Sequence, residues 1–402
     1  MENKRINPAW LDAIAQILTA VFKDGKKADK AIEKVFMANK KYGRQDRAFI
    51  AENSYEIIRY WRLLHFLLER DPDFSKQGLW EIFGVYHISQ GGTLPKWKEF
   101  DKLKKSYRSR WEEAEKNDEI FQSYGVDLYQ RASEQLGDRW PAIAKALNKP
   151  AKLVLRANSL KNDRESLKKL LEKEGIYTEE ISGIPFALVC KERKNLFQSP
   201  LFKEGRFEVQ DAGSQKIAEF CKAEPGQFVI DACAGAGGKT LYLGAAMKNK
   251  GRIIAMDVEA YKLQELKKRA ARAGLSLIQT QCIESTKNIK KYADRADIVL
   301  LDAPCSGSGV IKRNPDAKYR ITHDYIDGLK KIQENILTQY ASMVKEKGYL
   351  VYATCSILPE ENEEQVRKFL DTHPEFNLVD EVSLLPSEFD YDGFYMAKMV
   401  KK

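Results

Sequence analysis

The sequence predicts a multi-domain protein that ends in a doubly wound α/β domain, preceded by a small α+β unit and an amino-terminal all-α domain. Three observations favour this organisation. The chain has 402 residues, too many for one domain of usual size. Its first part shows helical periodicity with few strand signals, and its last part alternates short apolar runs with helical segments. We expect the domains at residues 1–124, 125–206 and 207–402.

The amino-terminal part carries the signals of a helical bundle. Asn7 and Pro8 suit the cap and first turn of a helix, and apolar residues recur at helical spacing from Leu11 to Val21. A second amphipathic run extends from residue 47 to residue 68. Strand signals stay sparse up to about Tyr124, so the sequence predicts an all-helical domain here.

The middle part changes pattern. Residues 152–156 form a short β-like run, residues 163–173 read as a helix ended by Gly175, and residues 186–190 resemble another strand. This mixture predicts a small α+β unit.

The last part alternates strand and helix. We expect four strands, which are apolar without alternation, as parallel strands covered on both faces usually are. We expect helices at 258–273 and 325–345, stopped by Gly274 and Gly348. This order predicts a doubly wound sheet, whose strands lie at 228–231, 253–257, 298–302 and 349–353.

Composition and charge narrow the class of protein. The net charge is +9, and the excess of positive residues lies in the first 320 residues, which suits a polyanionic partner as well as an ordinary solvated surface. No apolar run is long enough to span a membrane, so we expect a cytoplasmic protein without a membrane partner. The six cysteines show no zinc-like spacing, so we expect reduced thiols and no metal.

A glycine-rich loop follows the first strand of the last domain. The strand at 228–231 leads into residues 232–240, with the sequence ACAGAGGKT, whose small residues let a ligand approach the backbone. The next strand ends in Asp257, where a carboxylate suits the hydroxyl groups of a ribose. The sequence therefore predicts a binding site for a cofactor that contains a nucleoside.

Three other interpretations of this loop are weaker. Residues 238–240 imitate the end of a phosphate-binding loop, but Cys233 stands where that motif requires glycine. The dinucleotide motif fails as well, because Gly235 and Gly237 lead to Thr240 instead of a third glycine. A turn without a ligand would account for the loop, but not for Asp257.

Two loops with cysteine follow two further strands. Residues 302–309 read DAPCSGSG, and residues 354–356 read TCS. Loops after neighbouring strands of a doubly wound sheet open into the same crevice. We therefore expect Asp302, Cys305 and Cys355 to converge beside the glycine loop, where a thiol and a carboxylate suit covalent catalysis with acid–base assistance.

These motifs resemble those of the RsmB/Nop2/Sun family of RNA 5-methylcytosine methyltransferases. The similarity is strongest from residues 209–211 to residues 354–362, and the pairing of DAPCSGSG with TCSILPEEN is highly specific. Residues 392–397 resemble the last strands of that family. The helical amino-terminal part resembles the NusB-type RNA-binding domain of its ribosomal-RNA branch, mainly through residues 45–47.

The resemblance implies a fold and a role for each motif. It implies a Rossmann-like class I methyltransferase domain, preceded by an RRM- or ferredoxin-like RNA-binding unit. Cys355 is expected to be the nucleophile, Cys305 to assist release of the product, and Lys239 to orient the catalytic groups. The residues expected to bind S-adenosylmethionine are Cys233, Ala234, Gly235, Ala236, Gly237, Gly238, Lys239, Asp257 and Asp302.

The implied reaction explains why a thiol is needed. Carbon 5 of cytosine is a poor nucleophile, and addition of a thiolate to carbon 6 makes it reactive towards a methyl sulfonium. A carboxyl group at ring nitrogen 3, expected of Asp302, assists the addition. In DNA cytosine methyltransferases the cysteine of the PC motif attacks, which would give Cys305 that role and leave Cys355 without one.

Two residues depart from the family pattern. Ala236 stands where proline is common, and Cys282 stands where an acidic residue near the adenine is usual, which leaves the adenine contact open. The resemblance favours ribosomal RNA as substrate and leaves transfer RNA as an alternative. A second alternative is an assembly factor that binds RNA without catalysis. No obligate protein partner is implied.

Overall fold

The computed structural model describes residues 6–101, 103, 107–192 and 194–402. The chain forms two compact units. The first contains residues 1–149 and 311–323, and the second contains residues 150–310 and 324–402. The helical unit is therefore built from two segments of the chain, and the shorter segment follows the DAPCSGSG motif directly.

All regular secondary structure in the described part of the first unit is helical, as predicted for residues 1–124. The helices Val126–Leu136 and Trp140–Leu147, which the predicted boundaries assign to the α+β unit, also lie in this unit. Asn7 caps the first helix by accepting a hydrogen bond from the backbone N–H of Ala9 at 3.0 Å. The predicted run at 47–68 is divided at Tyr60, which leaves the helical conformation with ψ at 22°. The α-helices are Pro8–Phe22, Ala28–Ala38, Arg44–Arg59, Trp61–Leu68, Lys76–Ser89, Tyr107–Ala114, Asp118–Phe121, Val126–Leu136, Trp140–Leu147 and Ala317–Arg320, with 3-10 turns at Lys98–Phe100 and Gly137–Arg139.

The second unit begins with a small antiparallel sheet in the order β2-β3-β1-β4. Asp163 caps its main helix, Arg164–Lys173, by accepting a hydrogen bond from the backbone N–H of Ser166. The mixture of strand and helix agrees with the predicted α+β unit. Its strands are β1 (Val154–Ala157), β2 (Thr178–Glu180), β3 (Ala187–Cys190) and β4 (Phe207–Val209). A 3-10 turn at Leu196–Gln198 and a short helix at Pro200–Lys203 lie between β3 and β4.

The rest of the second unit is a seven-stranded mixed sheet in the order β10-β11-β9-β8-β5-β6-β7. Strands β9, β8, β5, β6 and β7 are parallel, which confirms the predicted Rossmann-like core, and β11 and β10 extend it in antiparallel pairing. The strands are β5 (Phe228–Asp231), β6 (Arg252–Asp257), β7 (Ile278–Cys282), β8 (Ala296–Asp302), β9 (Val344–Thr354), β10 (Phe376–Leu384) and β11 (Phe394–Lys401).

Helices connect the parallel strands. The predicted helix at 325–345 is wrong at its end: it stops at Ala341, and β9 already begins at Val344 because Val344 pairs with Ala296 of β8. The α-helices are Ala212–Phe220, Gly238–Ala246, Ala260–Ala273, Thr286–Lys290, His323–Ala341 and Glu363–Thr372, with 3-10 turns at Ser308–Val310 and Pro359–Glu361. In the described part of the chain, no helix is long and apolar enough to cross a membrane.

Candidate active site

The glycine loop connects β5 to the helix Gly238–Ala246. Gly235 and Gly237 have φ angles of 54° and 88°, a region that favours glycine. A Cβ atom on Gly237 would lie 2.5 Å from Cγ of Leu266, so only glycine fits there. On Gly235, none of the described atoms would lie within 4 Å of such a Cβ. The loop is therefore packed closely behind Gly237 and open over Gly235, as a backbone cradle for a ligand should be.

Asp257 holds this loop from the end of β6. One carboxylate oxygen accepts a hydrogen bond from the backbone N–H of Gly235 at 2.9 Å, and the other accepts from the N–H of Glu259 at 2.8 Å. A carboxylate can accept about four hydrogen bonds, so Asp257 retains capacity for the hydroxyl groups of a ribose. Val258 beside it is 67% exposed and offers an apolar surface at the same edge. These features fit a nucleoside.

Lys239 and Asp302 form an ion pair between the glycine loop and the end of β8. Nζ of Lys239 lies 2.5 Å from Oδ2 of Asp302, and the lysine is nearly buried whereas the aspartate is partly exposed. Burial acts to lower the pKa of Lys239, but the charge and hydrogen bond of Asp302 outweigh it and raise that pKa, with a contribution from Cys355. Lys239 is therefore an ammonium group held at the carboxyl edge of the parallel strands.

Cys305 and Cys355 meet at the carboxyl ends of β8 and β9. Their Sγ atoms lie 3.3 Å apart. The hydrogen bond to Cys355, together with burial, raises the pKa of Cys305 well above its usual range. A raised pKa favours the neutral thiol form of Cys305. This proximity agrees with the expectation that the two loops open into one crevice.

Glu361 joins the two cysteine loops from beneath, and sequence reasoning did not single it out. It is wholly buried. Its carboxylate accepts hydrogen bonds from the backbone N–H and hydroxyl of Ser306, from the hydroxyl of Ser356 at 2.6 Å and from the amide of Gln333 at 3.0 Å. Ser306 and Ser356 directly follow the two cysteines. The sequence signal for this role is the motif TCSILPEEN itself, where Glu361 follows Cys355 by six residues.

Asp231 is a second carboxylate that the sequence reasoning left out. It ends β5 and is buried, and its Oδ2 accepts a hydrogen bond from the hydroxyl of Thr240 at 2.6 Å. Its Oδ1 has no partner among the described residues. Burial raises the pKa of Asp231 to about 7, against the opposing effect of the Thr240 hydroxyl.

The remaining cysteines divide into two groups. Burial raises the pKa of Cys233 in the glycine loop well above its usual range, with three nearby aspartates adding to the effect. Cys282 ends β7 opposite Asp257 and lies 3.6 Å from the carbonyl oxygen of Val258. The other two, Cys190 and Cys221, are buried. Lys239, Asp302, Cys305 and Cys355 are thus brought together, and the glycine loop and Asp257 lie at the same edge of the sheet.

Family models match most of this second unit. Residues 218–400 match the model described as 16S rRNA methyltransferase RsmB/F. Residues 128–196 match the model described as the ferredoxin-like domain of RsmF/B-like methyltransferases. Together the two matches cover well over half of the chain.

Individual proteins are similar over different lengths. A probable ribosomal RNA small subunit methyltransferase B of Bacillus subtilis is 34% identical over 271 residues, which are 63% of this chain and 60% of that protein. A protein of the same description from Synechocystis is 29% identical over 89% of this chain and 91% of its own length. The crystal structure of PH0851 is similar over 100% of both chains, with 26% identity and a TM-score of 0.83. The chain thus spans about 60% of the length of the Bacillus protein it matches.

Proposed function

Since the chain belongs to the RsmB/F methyltransferase family, we propose that it transfers a methyl group from S-adenosylmethionine to carbon 5 of a cytosine in RNA. The observation that carries the proposal is the cluster of two cysteines 3.3 Å apart beside a lysine–aspartate ion pair. A thiol nucleophile needs activation and a means of release, and this cluster contains groups for both.

Cys355 is proposed to form the bond to the substrate. Its thiolate adds to carbon 6, and the electron pair of the C5–C6 double bond moves towards C5 and the ring nitrogen N3. The proton shared by Lys239 and Asp302 stabilises the negative charge that develops at N3. The base must leave its stack to reach these groups, so an unpaired or locally opened RNA is the expected substrate.

The glycine loop from Cys233 to Lys239, with Asp257 and Asp302, is proposed to hold S-adenosylmethionine. When bound, this cofactor supplies the electrophilic methyl group that C5 takes up as the methyl–sulfonium bond breaks and its electron pair stays on sulfur. The open space over Gly235 and the remaining acceptor capacity of Asp257 support this assignment.

Cys305 is proposed to complete the cycle. Its pKa is raised chiefly by the hydrogen bond to Cys355, and this effect is lost once the sulfur of Cys355 is bonded to carbon 6. Cys305 can then release its proton to solvent and, as a thiolate, remove the proton from C5. The C5–C6 double bond re-forms, Cys355 leaves as a thiolate, and the starting pair is restored with one proton released overall.

Ribosomal RNA is the favoured substrate because the relatives that match are described as ribosomal RNA methyltransferases. The all-helical amino-terminal unit and the small sheet are proposed to bind the RNA. Transfer RNA is the alternative substrate with the same chemistry, and bisulfite sequencing of both RNA classes from cells with and without the gene distinguishes them. We expect that, in cells without the gene, one cytosine of ribosomal RNA is no longer methylated and the methylation of transfer RNA is unchanged.

A second candidate function is an assembly factor that binds RNA without catalysis. RNA containing 5-fluorocytosine separates the two, because fluorine at C5 blocks release of the enzyme. An enzyme of the proposed kind forms a covalent adduct that depends on S-adenosylmethionine and is absent in Cys355→Ala. Failure to form any adduct with cellular RNA would favour the binding factor.

A further inference from the structure

Arg156 links the small sheet to the glycine loop. It lies on β1 and is almost wholly buried. Its guanidinium donates a hydrogen bond to the backbone carbonyl of Gly238 at 2.6 Å, donates another to the side chain of Gln210, and lies over the ring of Tyr242. A buried guanidinium is costly unless its donors are used. Here one donor holds the carbonyl of Gly238, at the point where the glycine loop enters the helix Gly238–Ala246.

A second arginine holds the loop two residues earlier. Glu208 on β4 stands opposite Arg156 in the register of the small sheet and is buried. Its carboxylate accepts from Arg269 at 2.9 Å and from Arg272 at 2.5 Å, both on the helix Ala260–Ala273. Arg269 also donates to the backbone carbonyl of Ala236 at 2.7 Å. Two adjacent strands of the small sheet thus reach two carbonyl groups of the same loop.

We propose that Arg156 and Arg269 are positioning residues, through which the small sheet holds the glycine loop in the conformation that binds the cofactor. The two hydrogen bonds fix the carbonyls of Ala236 and Gly238, one through the helix Ala260–Ala273 and one directly from β1. Gly235, in the same loop, leaves open space for the ligand. The small sheet therefore sets cofactor affinity in addition to any contact it makes with RNA.

Ala236 does not itself restrict the backbone of the glycine loop. Proline would restrict the backbone of the loop at this residue, whereas alanine leaves it freer to move. The charge-assisted hydrogen bond from Arg269 restricts the carbonyl of Ala236 through a contact from another element. The conformation of the loop then depends on the ion pair between Glu208 and Arg269, which the small sheet supplies.

The helix Ala260–Ala273 offers a matched control for the test. Arg269 and Arg272 both pair with Glu208, but Arg269 also reaches the loop, whereas Arg272 stacks on Phe202 at 4.0 Å. Removing either arginine costs one ion pair with Glu208. Arg269→Met alone removes the hydrogen bond to Ala236.

The experiment measures binding of S-adenosylhomocysteine to the full chain by calorimetry, together with thermal unfolding of each variant. The inference rests on the proposed function for the identity of this ligand. We expect Arg269→Met to raise the Kd about tenfold or more, as loss of a charge-assisted hydrogen bond predicts. We expect Arg272→Met to lower the unfolding temperature about as much as Arg269→Met does, because each variant loses one ion pair with Glu208. We expect the Kd of Arg272→Met to stay unchanged.

Equal rises in Kd for both variants, or none for either, would overturn the inference, because the cluster would then act through stability alone or not at all. If Arg269→Met does not fold, Arg269→Lys keeps the pair with Glu208 but cannot serve two acceptors in the same way, and a raised Kd is again expected. A wild-type chain that binds no S-adenosylhomocysteine contradicts the proposed function instead.

Discussion

The Sγ atoms of Cys305 and Cys355 lie 3.3 Å apart, and this contact, together with burial, raises the pKa of Cys305 well above its usual range. A thiol whose pKa is raised is less often the reactive thiolate, which favours Cys355 over Cys305 as the attacking group. The contact also means that the state of Cys305 depends on whether Cys355 is free or bonded to a substrate. The two thiols are chemically unequal although they lie side by side.

This inequality predicts opposite phenotypes for the two cysteine variants. Cys305→Ser can form the adduct through Cys355 but lacks the group proposed to remove the C5 proton, so a covalent RNA–protein complex should accumulate on unmodified RNA with S-adenosylmethionine. Cys355→Ser should form none. Denaturing gel electrophoresis with labelled RNA measures both, and the double variant should behave like Cys355→Ser. Accumulation in Cys355→Ser instead would assign the attack to Cys305.

The ion pair of Lys239 and Asp302 predicts a second result. Lys239→Met removes the ammonium group and leaves Asp302 without its charged partner at 2.5 Å. We expect kcat to fall about 10²–10⁴-fold, the usual contribution of a positioned proton donor. Single-turnover methylation at saturating RNA and cofactor measures the change. A variant that loses only cofactor affinity and keeps its maximal rate would show that Lys239 acts in binding alone.

Glu361 predicts a third result, because it ties together the loops that carry the cysteines. Glu361→Gln places an amide N–H₂ group among donors that need an acceptor, so Ser306 and Ser356 lose their common partner. We expect kcat to fall at least tenfold while the Kd for cofactor stays the same. The loss of adduct on RNA containing 5-fluorocytosine should match the loss of kcat.

The neighbouring glutamate provides the control. Glu360 belongs to the same motif and is also buried, but it pairs with Lys330 at 2.8 Å. Glu360→Gln should lower the free energy of unfolding about as much as Glu361→Gln does. It should leave adduct formation near the wild-type level. Similar losses of activity in both variants would reduce Glu361 to a structural residue.

The sequence predicted the elements that depend on local pattern. The strands of the parallel core and the loops after them follow from apolar runs and glycines, and the convergence of Cys305 with Cys355 follows from the rule that parallel strands open at one edge. The end of the helix before β9 was wrong because pairing with Ala296, a contact distant in sequence, ends the helix earlier than Gly348 would.

Buried polar partners were beyond sequence reasoning. Arg156 and Glu208 stand in two short strands with no motif around them, and only the register of β1 with β4 brings them opposite each other. Glu361 was visible within TCSILPEEN, but its function as an acceptor depends on Ser306, 55 residues earlier in the chain. Such contacts depend on tertiary structure, and local propensity carries no information about them.

Asp231 predicts a measurable effect of pH on stability. Its pKa is about 7 in the folded chain, raised chiefly by burial, against an ordinary value of 3.8. Between these two values the folded state binds more protons than the unfolded state, so the free energy of unfolding falls as pH rises from about 4 to about 7. The full difference is worth about 4 kcal/mol at most, taking about 1.4 kcal/mol for each pH unit.

Two variants isolate this contribution from those of other titrating groups. Asp231→Asn cannot ionise, so its stability relative to the wild type should increase over that pH range and level off above pH 7. Thr240→Val removes the hydroxyl that stabilises the charged carboxylate, so the pKa of Asp231 should rise further and the wild-type slope should extend to higher pH. Urea unfolding at several pH values between 5 and 8 measures all three chains. Parallel curves for Asp231→Asn and the wild type would show that Asp231 is already ionised at the lower end of the range, because only a carboxyl group that takes up its proton on folding can produce the difference.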